Sequence, residues 1–440
     1  MNKQKLKELY KQKLTTAQEA VKLVKSDYQI ISGLAAVEPK LFLTELSGVK
    51  DNVENVTVVT CLPMANYDFF NKEEMKGHFH HDAWFYTPVI RKAPTAINTF
   101  IPNHLHKCAP DRMAYKKPNI VAAVATPPDK HGYMSLSLSA MYEIDLMQYA
   151  DLVILEVNDN YPRTFGDIMI HINDVDYIIE ADYKPPVFPQ APVSEKDKKI
   201  ASYIAEYLED GITLQLGIGG IPNAVGGVLT HLKDVGIHTE MLTDSMAELA
   251  EAGVITGKKK SLFPNKMVCT FALGSEKLYN FVDDNPGVVF NRGSWVNDPY
   301  VIGQNYKQVS INTSLEVDLV GQVCSESIGP VQFSGTGGQA DTAIGAQLCP
   351  EGKSFITLYS TVNAKKQDGT REEVSKIVPM LKQGAQVTLH RANVDYIVTE
   401  YGCVRLKGCS VKERAKRMIS IAHPDFRDML TEEAKKLNYL

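Results

Sequence analysis

Short runs of β-branched and aliphatic residues alternate with helical patterns along most of this chain. Each run predicts a strand, and the runs lie at Val56–Thr60, Ile120–Ala125, Leu152–Val157, Ile212–Leu216, Val268–Phe271, Val309–Ile311, Ser354–Leu358 and Val387–Leu389. Helical periodicity separates or follows them at Lys199–Leu208, Ala224–Leu232 and Lys412–Ile421. Strands that alternate with helices pack as open sheets covered by helices, so we expect an α/β fold.

A proline-rich stretch divides the chain into two parts of domain size. Residues Tyr183–Val193 hold four prolines and show no periodicity. We therefore predict an N-terminal domain at residues 1–190 and a C-terminal domain at residues 191–440. The runs Leu152–Asn158 and Ser314–Asp318 share a Leu-Glu-Val step. Internal duplication and chance similarity both remain open as explanations of this shared step.

Composition argues against several classes of function. The 440 residues carry a formal net charge of −5, so we expect no nucleic acid partner. No stretch approaches roughly 18 apolar residues, and Met1–Lys13 is polar and lysine-rich. We therefore expect a cytoplasmic protein without a membrane partner. The seven cysteines are scattered without a C-x-x-C pair, which is typical of reduced structural thiols.

Closely spaced histidines raise the question of a metal site. His78 and His80 precede His81 and Asp82, and a second pair stands at His104 and His106. Residues two apart lie on one face of a strand, so each pair could direct two imidazoles the same way. No H-E-x-x-H pattern accompanies them. We expect no metal and interpret these histidines as substrate-channel or surface residues.

Two glycine-rich segments offer backbone groups that could bind a ligand. The first, Gln215–Asn223, follows a predicted strand, and we expect Pro222 at the first position of the next helix. The second, Ser334–Gln339, contains three glycines and leads into a predicted helix over Ala340–Ala346. Each loop would present backbone N–H groups at a helix N-terminus, which favours negative charge. A tight structural turn is the alternative interpretation.

Glu240 lies between these loops in sequence, in the strand-like run Gly236–Met241, with Ser245–Glu248 as a possible capping box behind it. A residue between a strand end and a helix start is placed at the ligand-facing edge of an α/β sheet. A nucleophilic carboxylate and N–H donors for an oxyanion are what acyl transfer between a thioester and an acid requires. Two alternatives stay open here: an ordinary exposed acid, and a dinucleotide site with a partial G-x-G-x-x-G motif.

These segments resemble the acyl-CoA transferases of the acetyl-CoA hydrolase/transferase family. The resemblance covers nearly the whole chain, and its motifs are Gln215–Val225, Gly236–Ser245, Val323–Gln339, Val394–Gly402, Asn103–Lys107, Pro128–Tyr133 and Asn160–Gly166. It implies two tandem open α/β domains of the CoA-transferase (NagB/RpiA-like) type. The C-terminal domain would carry the catalytic glutamate.

The resemblance also implies an enzyme and its site. Glu240 matches the glutamate that forms a CoA thioester, and CoA-binding residues are implied at Gln215, Leu216, Gly217, Ile218, Gly219, Leu315, Gly338 and Lys365. Lys366 is the alternative register for Lys365.

The implied reaction is ping-pong transfer of CoA from butyryl-CoA to acetate, a step of fatty acid metabolism. Transfer to or from 4-hydroxybutyrate and acyl-CoA hydrolysis are the alternatives, and a ligand sensor without catalysis is the rival class. The CoA thioester serves as substrate and as covalent intermediate, so we expect no metal or redox cofactor. The resemblance further implies a homo-oligomer.

Overall fold

A computed structural model describes residues 3–188, 192–217, 219–366 and 368–440. The chain folds as two compact units. Unit 1 comprises Met1–Pro189, Glu240–Asp244 and Lys266–Asn297, and unit 2 comprises Gln190–Thr239, Ser245–Asn265 and Asp298–Leu440. Glu240 is thus the residue at which the chain enters unit 1 from unit 2. The predicted domains at 1–190 and 191–440 stay a prediction, because compact units and independently folding domains are different things.

The strands are short, and most have between two and seven residues. They are β1 (Leu14–Thr15), β2 (Gln29–Ser32), β3 (Val56–Thr60), β4 (Phe79–Ala83), β5 (Asn98–Phe100), β6 (Ile120–Ala125), β7 (Tyr133–Ser135), β8 (Leu152–Asn158), β9 (Phe165–Gly166), β10 (Met169–His171), β11 (Tyr177–Ala181), β12 (Thr213–Leu216), β13 (Gly236–Ile237), β14 (Met241–Leu242), β15 (Met267–Cys269), β16 (Phe271–Ala272), β17 (Val288–Phe290), β18 (Gln308–Thr313), β19 (Glu316–Asp318), β20 (Val323–Cys324), β21 (Ser327–Ile328), β22 (Val331–Gln332), β23 (Lys353–Thr357), β24 (Thr361–Lys365), β25 (Arg371–Ser375), β26 (Ile377–Val378), β27 (Tyr396–Thr399) and β28 (Gly402–Arg405).

The first α-helix precedes β1, and the others lie between the strands or follow the last of them. They are α1 (Lys3–Lys13), α2 (Ala17–Ala20), α3 (Lys40–Glu45), α4 (Asp68–Asn71), α5 (Cys108–Tyr115), α6 (Glu143–Met147), α7 (Glu195–Ala205), α8 (Gly220–Val228), α9 (Asp244–Glu251), α10 (Glu276–Val282), α11 (Gly293–Val296), α12 (Pro299–Ile302), α13 (Gln339–Leu348), α14 (Val411–Ser420) and α15 (Pro424–Lys436).

Unit 1 is built on an eight-stranded sheet with the strand order β1-β11-β8-β6-β2-β3-β4-β5. All its neighbouring strands run parallel. Every residue of β6 is buried, as expected of a central parallel strand that is covered on both faces. Phe69, Phe70 and Phe79 fill the core on one side of this sheet. The later segments of unit 1 add the small parallel pairings β14-β16 and β15-β17-β9.

Unit 2 is built on a six-stranded sheet with the order β13-β12-β18-β23-β27-β28. Its strands run parallel except for the edge strand β28, which pairs antiparallel with β27. Its core includes Ile356, Ile397 and Met418. Helices α13 and α14 contribute buried faces to the same core. The two parallel sheets confirm the predicted α/β fold class.

Most predicted strands are present, and the exceptions are informative. Val387–Leu389, which lies wholly within the described residues, is not a strand, because its ladder is limited to one isolated bridge between Leu389 and Val323. The run Val268–Phe271 is divided into β15 and β16, since Thr270 turns its N–H to the carbonyl of Glu240.

Within the described part of the chain, we find no helix that is long and apolar enough to span a bilayer.

The histidine pairs do not share strand faces as the sequence suggested. His78 lies one residue before β4, and His104 and His106 lie at a short 3-10 turn. His81 is buried in β4, where it hydrogen-bonds with the side chains of Asn98 (2.7 Å) and Thr60 (2.9 Å). Burial lowers the pKa of His81 to about 4, so its imidazole is a neutral core group.

Candidate functional site

Glu240 is held in unit 1 through its backbone and its side chain. Its carbonyl oxygen accepts hydrogen bonds from the N–H groups of Thr270 (3.0 Å) and Phe271 (3.1 Å). Its carboxylate oxygen Oε2 accepts a hydrogen bond from Asn297 Nδ2 at 2.8 Å. Asn297 is fully buried, whereas Glu240 remains partly exposed. A buried amide therefore orients a carboxylate that remains partly exposed.

The local chain path around Glu240 differs from the predicted strand over Gly236–Met241. That run forms two separate strands, because β13 pairs with β12 whereas β14 pairs with β16. Glu240 lies at the bend directly before β14. Helix α9 begins at Asp244, so Ser245 is inside the helix and is not the predicted N-cap. The carboxylate of Asp244 instead accepts a hydrogen bond from the N–H of Ser275 at 3.1 Å.

A buried thiol and a buried carboxyl group share the surroundings of Glu240 in unit 1. Burial raises the pKa of Cys61 well above its ordinary value, and the charges of Glu240 and Glu143 raise it further. Glu143 accepts hydrogen bonds from Leu34 N (2.9 Å) and Ser139 Oγ (2.8 Å), while burial raises its pKa. A thiol held in the protonated form is a poor nucleophile. Cys61 is therefore a weaker candidate nucleophile than a carboxylate in this part of unit 1.

The first glycine loop follows β12 in unit 2. Leu216 is buried, and Gly217 continues the ladder by donating its N–H to the carbonyl of Ile311 at 3.0 Å. Gly219 has a φ of 117°, a conformation that favours glycine, and it is the N-cap of α8. A Cβ on Gly220 would lie 2.7 Å from Asp197 Oδ2, so this position also excludes a side chain. Ile218 lies outside the described residues.

Pro222 takes the third helical position of α8 and not the predicted first, because the helix begins at Gly220. The first-turn N–H groups of a helix have no partner within the helix, so proline is tolerated here as well. The backbone N–H groups of the first glycine loop belong to residues that precede Pro222.

The second glycine loop precedes α13 in the same unit. Gly337 has a φ of 56°, and Gly338 is the N-cap of the helix. The carbonyl of Glu326 accepts hydrogen bonds from the N–H groups of Phe333 (2.7 Å) and Ser334 (3.0 Å), which fixes the start of the loop. The predicted helix after this loop is confirmed, with the bounds Gln339–Leu348.

The remaining predicted CoA contacts lie on other elements of unit 2. Leu315 lies between β18 and β19. Its N–H donates to the carbonyl of Cys324 at 2.9 Å. Lys365 is the exposed last residue of β24, directly opposite Arg371 of β25. Lys366 forms an ion pair with Glu372 at 2.9 Å. Of the two lysines, Lys365 is the one whose neighbour across the hairpin is also basic.

The structure adds residues that sequence reasoning missed. Asn297 is far from Glu240 along the chain, and no motif marks it as the partner of that carboxylate. In unit 2, the buried residues Ser310, Asn312 and Thr342, also missed, connect the predicted site residue Gln215 to α13. An arrangement of single polar residues on separate elements carries no local sequence signal.

Both halves of the chain match models of one protein family. Residues 1–189 match the acetyl-CoA hydrolase/transferase N-terminal domain, and residues 274–434 match the acetyl-CoA hydrolase/transferase C-terminal domain. A succinyl-CoA:cyclohexane-1-carboxylate CoA transferase of Geobacter metallireducens is 41% identical over 98% of this chain and 96% of its own length. A 4-hydroxybutyrate coenzyme A transferase of Clostridium kluyveri is 42% identical over 98% of this chain and 99% of its own.

Solved structures agree with these matches. The crystal structure of RipA from Yersinia pestis superposes with a TM-score of 0.91 at 33% identity, covering 99% of this chain and 100% of that one. The fold and the matches define an enzyme of the CoA-transferase class. The chain belongs to the acetyl-CoA hydrolase/transferase family, as its motifs predicted.

Proposed function

We propose that this enzyme transfers CoA between a short-chain acyl-CoA and a carboxylic acid through covalent intermediates on Glu240. The observation that carries this proposal is the carboxylate of Glu240, which is partly exposed and is oriented by the buried amide of Asn297. Burial raises the pKa of the Cys61 thiol, which makes this thiol a weaker candidate than the Glu240 carboxylate for the attacking group. Gln215, Leu216, Gly217, Ile218, Gly219, Leu315, Gly338 and Lys365 remain the proposed contacts to CoA.

The proposed chemistry exchanges one thioester for another. A Glu240 oxygen attacks the acyl-CoA carbonyl carbon, the C–S bond breaks, and CoA leaves as a thiolate while an acyl-glutamyl anhydride forms. The thiolate then attacks the glutamyl carbonyl, which releases the first acid and leaves CoA bound to Glu240 as a thioester. The acceptor acid reverses these two steps. Backbone N–H groups of the glycine loops would stabilise the oxyanions, and one such donor is worth roughly 10²–10³ in rate in other enzymes.

We propose butyryl-CoA and acetate as the substrate pair, with 4-hydroxybutyrate as an equally supported alternative acid. A butyryl-CoA:acetate CoA-transferase of Anaerostipes caccae is 36% identical over 98% of this chain, which supports the first pair. The Clostridium kluyveri relative supports the second. Relatives of similar identity thus act on different acids, so the family match alone does not select one.

Initial-rate measurements should identify the preferred substrates, and the same measurements should test the covalent route. We expect a matrix of acyl-CoA donors against carboxylate acceptors, analysed by mass spectrometry, to give the highest kcat/KM for butyryl-CoA with acetate. Because the first acid leaves before the acceptor reacts, double-reciprocal plots should give parallel lines. Intersecting lines would require a ternary complex and exclude the covalent route. CoA release at an undiminished rate without any acceptor would identify an acyl-CoA hydrolase.

Asn297 should matter for turnover because it orients Glu240. We expect Asn297→Ala to lower kcat by up to about 100-fold, because a small misplacement of a reacting group can cost about 10²-fold in rate. The KM for acyl-CoA should change little, since Asn297 is fully buried and does not reach substrate.

Asn98 provides a matched control for this substitution. It is a buried asparagine of unit 1 that donates to the carbonyls of Phe70 and Pro94, each at 2.8 Å. Asn98→Ala should therefore lower stability and leave kcat unchanged. A normal kcat in Asn297→Ala would show that Glu240 needs no orienting partner.

A further inference from the structure

A series of polar side chains runs through the interior of unit 2 between its two glycine loops. Gln215 lies two residues before Gly217, and Thr342 lies in the first turn of α13, four residues after Gly338. Ser310 Oγ lies 2.9 Å from Gln215 Oε1 and 3.1 Å from Thr342 Oγ1.

Asn312 reinforces this connection. Its Nδ2 donates to Thr342 Oγ1 at 3.0 Å and lies 3.4 Å from Gln215 Oε1. Gln215, Ser310, Asn312 and Thr342, here called the loop-linking network, are all at most 9% exposed. The side chain of Gln215, a proposed CoA contact, is therefore hydrogen-bonded inside the protein.

The loop-linking network is not needed to hold the sheet together. Backbone hydrogen bonds already pair β12 with β18, so apolar side chains at these positions would serve packing equally well. A buried polar group left without a partner destabilises the folded state, so such a network is unfavourable unless every member is hydrogen-bonded. What the network adds is a direct connection from the strands to α13. Gln339 extends it, because its Nε2 donates to the carbonyl of Thr313 at 2.8 Å.

We propose that the loop-linking network fixes the two glycine loops relative to each other, and that Gln215 and Thr342 are positioning residues. The first loop begins where β12 ends, and the second ends where α13 begins, so a fixed distance between β12 and α13 fixes the spacing of both sets of N–H groups. The inference rests on the proposed function, because that spacing matters for the transition state only if both loops serve the reaction. Small displacements of groups around a reacting centre can cost about 10²-fold in rate.

Thr342→Val tests the proposal, because it keeps the shape of the side chain and removes the hydroxyl. We expect kcat for CoA transfer to fall by about 10–100-fold, as a small displacement of groups around a reacting centre can cause, while the KM for acyl-CoA changes by less than about threefold. Thr342→Ser restores the hydroxyl and should restore kcat to within about threefold of the wild type. A kcat that stays within threefold of wild type in Thr342→Val, or a failure of serine to rescue it, would overturn the proposal.

Thr399 offers a matched control in the same unit. It is fully buried, its Oγ1 donates to the carbonyl of Ile421 at 2.6 Å, and it also accepts from Tyr401 N at 3.1 Å. Thr399→Val removes a similar number of buried hydrogen bonds away from the loop-linking network. It should lower the melting temperature to a similar extent and leave kcat unchanged. An equal fall of kcat in both variants would indicate general destabilisation and would contradict the proposal.

Hydrogen exchange of the full chain separates this inference from the proposed function. In Thr342→Val, the peptide that contains Gly217 and Gly219 should exchange faster, although it lies on the opposite side of the loop-linking network from the substitution. Should Thr342→Val fail to fold, Gln215→Met provides the reciprocal test on the peptide that contains Gly335 and Gly338. Unchanged exchange across the network would overturn the inference even in an active transferase. A wild-type enzyme without transferase activity would refute the proposed function, while the exchange result would still decide whether the loops are linked.

Discussion

Glu240→Gln should lower kcat for CoA transfer by roughly 10⁴-fold or more, because an amide cannot act as the nucleophile in place of a carboxylate. The substitution changes little else. Glutamine has the same length as glutamate, and its carbonyl oxygen can still accept the hydrogen bond that Asn297 Nδ2 donates to Glu240 Oε2 at 2.8 Å. We therefore expect a folded protein with a melting temperature near that of the wild type. Measuring kcat with the preferred donor and acceptor provides the test.

The covalent intermediate gives this prediction a second, independent measurement. Incubation of the wild-type enzyme with acyl-CoA alone, followed by borohydride reduction and digestion, should reduce the glutamyl thioester and change the mass of the peptide that contains Glu240. The exposed Glu251 at the end of α9 supplies a control, since Glu251→Gln should retain full activity and the same modification. A fully active enzyme whose Glu240 peptide is unmodified would exclude the covalent route.

Periodicity located the central strands, because they are largely buried and consist mostly of apolar residues. β6 and β8 were predicted nearly to the residue for this reason. Prediction from periodicity was wrong where the structure depends on which strands form hydrogen bonds with each other. The ends of the run Gly236–Met241 pair with two different strands, and a one-dimensional pattern does not contain that choice.

Some residues of the candidate site can likewise be identified from local sequence, and others only from the folded structure. Glu240 and the glycine loops are identifiable from contiguous motifs, as are the helices that follow the loops. Asn297 and Thr342 are not, because each acts on a residue that is distant in sequence and is brought near only by folding. Motifs therefore identify the groups proposed to react, whereas the structure identifies the groups that hold them.

Glu38→Gln should raise the stability of the protein relative to wild type by an amount that grows with pH. Glu38 is only 5% exposed, and its Oε2 accepts a hydrogen bond from Met64 N at 2.8 Å. Burial raises its pKa from 4.5 to about 8, although the backbone donors at Met64 and Ala65 oppose this shift. Near neutral pH the folded protein therefore holds a proton on Glu38 that the unfolded chain releases.

The sign of the effect follows from proton binding. Between about pH 4.5 and 8, the folded state binds one more proton than the unfolded state at Glu38, so its contribution to stability falls as pH rises. The slope is about 1 kcal/mol per pH unit, which amounts to roughly 3–5 kcal/mol across this window. Glutamine keeps an acceptor for Met64 and does not titrate, so the variant should lack this loss. Above about pH 8 the difference should stay constant.

Thermal unfolding of wild type and Glu38→Gln from pH 5 to 9 would measure this difference directly. Burial also raises the pKa of the nearby Glu156, to about 7, but Glu156 is present in both proteins and largely cancels in the comparison. Burial raises the pKa of Tyr67 well above its ordinary value, so Tyr67 does not titrate between pH 5 and 9. If the stability of Glu38→Gln relative to wild type were independent of pH, the Glu38 carboxyl group would be ionised in the folded protein, and a buried negative charge would need a partner beyond the backbone N–H groups of Met64 and Ala65.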